Sequence, residues 1–158
     1  MTTATLQTTR FGDIEIDESK VINFISPILG FHEDTRYVVL DHDPESPFKW
    51  LQSLLDPGLA FVITDPRLFN IKYVFPISQE TLSALDVPTA QELTILAIVN
   101  IPDQAPEQMT ANLLGPLLLN LTNMKALQVV LSNTEYSTKT RLITDEMLTE
   151  NLTPTVNP

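Results

Sequence analysis

A mostly β fold, a compact small barrel-like domain with one or two short helices, is what this sequence predicts. Three observations lead there. Twelve prolines are spread through 158 residues, and proline interrupts the helical hydrogen-bond ladder, so long helices are not expected. Short apolar runs recur between turn signals, the pattern of a sandwich or barrel of many strands. Hydrophobic residues make up 43% against 18% charged, and a chain of this length buries a core of its own.

The elements follow in order. Residues 6–9 lead to Gly12, after which Ile14-Glu15-Ile16-Asp17 alternates as a half-buried strand does. Residues 21–25, 37–40 and 59–64 are further strands, and Phe48 with Trp50 would share one face of a strand within residues 47–53. Ser78 is placed to cap a helix over residues 79–85, with Leu82 and Leu85 on one face. Thr89-Ala90-Gln91-Glu92 has capping-box spacing but leaves room only for a turn before the run at 93–101. That run is apolar at nearly every position, as in a strand covered on both faces. Gly115-Pro116 would open a buried strand over 117–121, since proline is tolerated at a strand's first position. Asn123-Met124-Lys125 would then reverse the chain, and residues 128–131 would return antiparallel. Residues 141–143 end the set. Residues 1–144 are expected to form a single domain. Residues 145–158 are expected to be an acidic, proline-containing tail, helical at most through Leu148.

Composition excludes several functions. The net charge is −11, from 20 acidic and 9 basic residues, so a direct nucleic-acid binder is not expected; a basic partner is permitted. The chain has no cysteine, hence no disulfide framework or thiol nucleophile. No stretch reads as a leader peptide or a membrane span, which points to the cytoplasm. His32 precedes Glu33-Asp34, and His42 lies between Asp41 and Asp43 on alternating faces, so neither builds a metal site alone. No nucleophile elbow is present, and the glycines Gly12, Gly30, Gly58 and Gly115 are too dispersed for a phosphate loop. Neither catalysis nor a cofactor is expected.

Candidate contacts are few. Trp50 is the one tryptophan, readable as core or as an aromatic anchor for a partner, with Leu51, Gln52 and Ser53 beside it. Phe31 after Gly30 is core or a presented loop tip. Asn112 and Asn120 would bracket the strand after Gly115, where asparagine amides satisfy backbone groups left open by turns; contact with a partner is the second reading.

An ordered set of segments carries a resemblance. "FISPILGF" at 24–31, "PFKWLQS" at 47–53, "LAFVITDP" at 59–66, "TANLLGPLLLN" at 110–120 and "QVVLSNTEY" at 128–136 together resemble the FliW family of bacterial flagellar assembly factors. Two positions depart from the family's usual Gly-Ile-Pro-Gly-Phe: Pro27 stands for the first Gly and Leu29 for the Pro. The resemblance implies a monomeric, mostly β, non-catalytic protein of the cytoplasm. It further implies binding to flagellin, and binding to the translational regulator CsrA that relieves repression of flagellin mRNA, the two partners competing. On this reading Gly30, Phe31, Trp50, Leu51, Gln52, Ser53, Asn112 and Asn120 are the candidate contacts. The competing expectation is a small β-barrel enzyme or ligand carrier sharing only the scaffold.

Overall fold

Alternation along the strands sorts the apolar side chains into an inner and an outer set, and closure of the main sheet follows from it. The computed structural model describes residues 2–31, 33–41, 43–132 and 134–144. The expectations for His32, His42 and the tail from residue 145 lie outside them. The chain forms β1 (Thr3–Thr8), β2 (Gly12–Asp17), β3 (Ile22–Phe24), β4 (Arg36–Leu40), β5 (Phe48–Ser53) and β6 (Ala60–Thr64). Then come helix α1 (Gln79–Ala84), β7 (Thr94–Asn100), β8 (Thr110–Ala111), β9 (Leu117–Asn120), β10 (Lys125–Gln128) and β11 (Thr140–Arg141).

β1 and β2 form a separate hairpin. The larger sheet runs β11-β8-β7-β6-β5-β4-β3-β10-β9, and β9 also pairs with β7, so the seven strands from β7 to β9 close into a barrel. Every pairing is antiparallel except that of β3 with β10. Closure leaves the seven barrel strands without free edges, while the β1–β2 hairpin and β11 keep theirs.

Inside the barrel lie Ile22, Phe24, Tyr37, Leu51, Ile63, Leu117, Leu119 and Ala126. The alternate residues face outward onto three smaller clusters. Val38 and Leu40 meet the β1–β2 hairpin through Ile14 and Ile16. Leu118 meets Leu82 of α1 and Leu85 just after it. Ala97 and Val99 meet Tyr73, Met109 and Leu142. β7 is therefore covered on both faces, with Leu96 and Ile98 inward, as its continuous apolar run predicts.

Ser78 caps α1, its hydroxyl oxygen accepting from the Thr81 amide at 3.1 Å. Thr89 makes no such side-chain bond; residues 90–92 form only a 3-10 turn. The reversal after β9 falls where Asn123 and Met124 predict it, with Met124 at φ 61°. The return strand, however, is Lys125–Gln128 rather than 128–131, because Lys125 pairs at once with Asn120. Val129 and Leu131 prolong the contact through single amide bonds to the carbonyls of Pro116 and Leu114. A Cβ at Gly115 would sit 2.9 Å from Gln128 Nε2 and would push that side-chain amide aside.

The two ends of the barrel differ. Phe24, Tyr37, Phe61 and Phe31 plug one, in edge or tilted ring contacts with centroids 5.0 to 6.0 Å apart. The Tyr37 hydroxyl is buried there without a hydrogen-bond partner among the described residues. Burial pushes its pKa up, with Asp34 adding to the shift. Removing an orphaned buried hydroxyl recovers its desolvation penalty, so Tyr37→Phe is expected to raise stability by about 1–2 kcal/mol in urea unfolding. A loss of that size would show that the hydroxyl is bonded, for instance to buried water.

Candidate functional site at the plugged end of the barrel

Three loops meet at the aromatic-plugged end. The first, residues 25–31, leaves β3 and turns inward at Ile28, which is 2% exposed, before presenting Leu29 at 64%. Gly30 has φ +91°, a conformation that L side chains rarely adopt, and this lets the chain fold back so that the Phe31 amide donates to the Ile28 carbonyl at 2.9 Å. Phe31 is half-buried and meets Phe61 edge to face. It is therefore both lid and rim, combining the two readings its position allowed.

The second loop follows β5. Ser53 is buried; its hydroxyl donates to Asp34 Oδ1 at 3.0 Å and accepts from the amides of Leu55 and Asp56. Asp34 in turn donates its amide to the Phe31 carbonyl at 3.1 Å, which ties the two loops together. Gln52 is also fully buried, with Nε2 within 3.0 to 3.4 Å of the carbonyls of Ser53, Asp56, Pro57 and Leu59. These bonds hold the loop closed and leave Leu55 outward at 61% exposure.

The third loop, residues 112–116, joins through a relay that sequence reading missed. Asn112 Oδ1 accepts from the Gly115 amide at 2.9 Å. The Gly115 carbonyl accepts from Gln128 Nε2 at 3.0 Å, and Gln128 Oε1 accepts from the Leu29 amide at 3.0 Å. Nothing local marks Gln128, since its partners lie 13 and 99 residues away along the chain.

Gly30, Phe31, Gln52, Ser53 and Asn112 thus come together. Three candidates stand apart. Leu51 is fully buried inside the barrel. Trp50 faces outward, half-buried, with the Phe11 ring edge-on at 5.5 Å and the Arg10 guanidinium 4.5 Å over its face. Asn120 is at the opposite end of β9; its amide donates to the Leu85 carbonyl at 2.7 Å and its oxygen accepts from the Thr122 amide. Both asparagines thus satisfy backbone groups at turns.

The plugged end offers apolar surface rather than reactive groups. Ile25, Leu29 and Leu55 are exposed there, and Glu33 and Asp56 lie on the same loops. No group of three or more His, Cys, Asp or Glu among the described residues could hold a metal ion. No helix of the described residues is long and apolar enough to cross a membrane.

Comparison with known proteins gives one answer by three routes. The family model for the FliW protein matches residues 5–142. The flagellar assembly factor FliW of Alkaliphilus metalliredigens (strain QYMF) is 42% identical over 135 residues, covering 85% of this chain and 83% of its own. That of Leptospira biflexa serovar Patoc is 37% identical over 139 residues, covering 88% and 91%. A crystal structure of the flagellar assembly factor FliW superimposes with a TM-score of 0.83 at 34% identity, covering 90% of this chain and 99% of that one. The closed barrel and the sequence agree: the chain belongs to the FliW family.

Proposed function

We propose that this protein is a cytoplasmic flagellar assembly factor that acts by binding: it holds flagellin before export and, when free of it, captures the translational regulator CsrA and so relieves repression of flagellin mRNA. The observation that carries this reading is the family match over residues 5–142, together with an exposed apolar end. Flagellin is assigned to that end. Ile25, Leu29 and Leu55 suit the apolar stripe of an amphipathic helix, and Phe31, half-buried edge-on to Phe61, adds to the apolar character of that end. CsrA is assigned by charge. A surface with net charge −11 attracts a basic RNA-binding protein and, once bound, repels the phosphates it competes with. Neither role needs a bound cofactor or a reacting group, and the free protein is taken to be a monomer.

Calorimetry with cognate flagellin and CsrA tests both arms; absence of both complexes at low salt would refute the reading. The two complexes should also respond differently to salt. Raising ionic strength from about 0.05 M to about 0.5 M shortens the screening length severalfold. The CsrA complex is therefore expected to weaken by roughly 10-fold or more, and the apolar flagellin complex by much less. Equal salt responses would count against the division of surfaces.

A further inference from the structure

The end of the barrel opposite the aromatic plug is open. A cavity of about 1000 Å³ enters there between the strands. Its accessible walls include Val39, Leu96 and Met124, half-buried inward-facing residues of the barrel, while Ile63 and Leu119 beside them are buried. The contrast with the plugged end lies in side-chain volume. Aromatic rings fill that end, whereas the inner positions here carry Val39, Thr94 and Leu96, which are only half-buried. Half-buried aliphatic surface at this end is thus available for an apolar occupant to cover.

Shape narrows the occupant. A barrel of about eight strands is just wide enough inside for side chains or one small ligand. An α-helix with its side chains is ~10–12 Å across and does not enter a seven-stranded barrel. A single aliphatic chain does. Charge narrows it further. Lys20 and Lys49 line the cavity in a protein with only nine basic residues. Lys49 is held by Asp41 at 2.9 Å, while Lys20 is exposed with no ion pair among the described residues. Of the lining carboxylates, Asp65 is engaged by Arg67 at 3.0 Å, and Glu45 is exposed on the loop before β5.

We propose that the open end of the barrel is a binding site for a single-chain aliphatic amphiphile with an anionic head. Its hydrocarbon lies along Val39, Leu96 and Met124, and its head meets Lys20 and Lys49. The site is separate from the plugged end and does not depend on the assignment of flagellin or CsrA.

Titration calorimetry of the full chain with dodecanoate, below its micelle concentration, tests the proposal, with dodecanol as the uncharged control. Binding with 1:1 stoichiometry is expected. Thr94→Trp, which fills the mouth, should bind at least about 10-fold more weakly with an unchanged melting temperature, a difference of about 1.4 kcal/mol. Lys20→Glu, at an exposed position that packing does not constrain, should weaken dodecanoate several-fold and leave dodecanol unchanged. No saturable binding by the parent protein would overturn the proposal, as would undiminished binding by folded Thr94→Trp. Insensitivity of dodecanoate to Lys20→Glu would overturn the anionic head. Loss of flagellin binding in Thr94→Trp, with no dodecanoate binding in the parent, would give the cavity to the protein partner instead.

Discussion

Replacing Leu29 and Leu55 together by aspartate is expected to weaken flagellin binding by about 100-fold or more while leaving the melting temperature within a few degrees of the parent. The two side chains are 64% and 61% exposed, so folding gains little from them and loses little with them. In a complex they would be covered, and a well-packed apolar anchor contributes about 2 kcal/mol or more to association. Two such losses, compounded by burying unpaired carboxylates, account for the size of the effect. Calorimetry with flagellin, beside circular dichroism of the free variant, reads both quantities. Wild-type affinity in the double variant would remove flagellin from this end. Phe31→Ala is the less informative choice. It takes a ring from the Phe61 contact and deprives the core of its cover, so weakened binding could not be separated from the few kcal/mol of stability a packed phenylalanine contributes.

What was legible in the sequence was the chemistry of near neighbours. Ser78 before an apolar helix face, Asn123-Met124 between two apolar runs, and the alternation Ile14-Glu15-Ile16 each concern residues within a turn of one another, and each appears where expected. The closure was not legible. The pairing of β7 with β9 and the parallel pairing of β3 with β10 join segments about 25 and about 100 residues apart, and many registers would satisfy the same apolar pattern. The same limit hid much of the candidate site. The pattern "FISPILGF" marks Gly30 and Phe31, but nothing in it tells that Ile28 is the buried residue and Leu29 the exposed one. Alternation fails in a loop whose direction is set by a left-handed glycine. Trp50 was ambiguous for a related reason. Its outward face is settled by strand period, but its cover comes from Phe11 and Arg10 on a hairpin that packs from elsewhere.

Gln52 shows how a residue can matter to a partner without touching one. It is fully buried, and the direct contact expected of it would require the loop over it to open. Its amide instead faces four carbonyls of residues 53–59, the loop that projects Leu55. Gln52→Leu keeps the volume and removes these bonds. The carbonyls of Asp56, Pro57 and Leu59 keep their backbone donors, the amides of Leu59, Thr9 and Ser53, but lose the side-chain donor that draws them together, and a hydrogen bond contributes about 1 kcal/mol net. The Gln52 oxygen, which has no partner among the described residues, would be lost as well, and that offsets part of the cost. A net destabilisation on the order of 1 kcal/mol is expected, measured by urea unfolding. The more telling readout is local. Amide exchange should accelerate at Leu59, whose N–H donates to the Asp56 carbonyl across the loop, and at Leu55 and Asp56, whose N–H groups donate to the Ser53 hydroxyl. Leu119 and Leu117, deep in the barrel, should change only by the global amount. If flagellin docks on Leu55, its affinity should fall because binding must first order the loop, and a conservative Gln52→Glu variant at low pH, where the protonated acid donates one hydrogen bond, should recover part of that loss. Unchanged exchange across 53–59 would show that Asp34 and the Ser53 hydroxyl suffice to hold the loop, leaving Gln52 as filling for the outer face of β5.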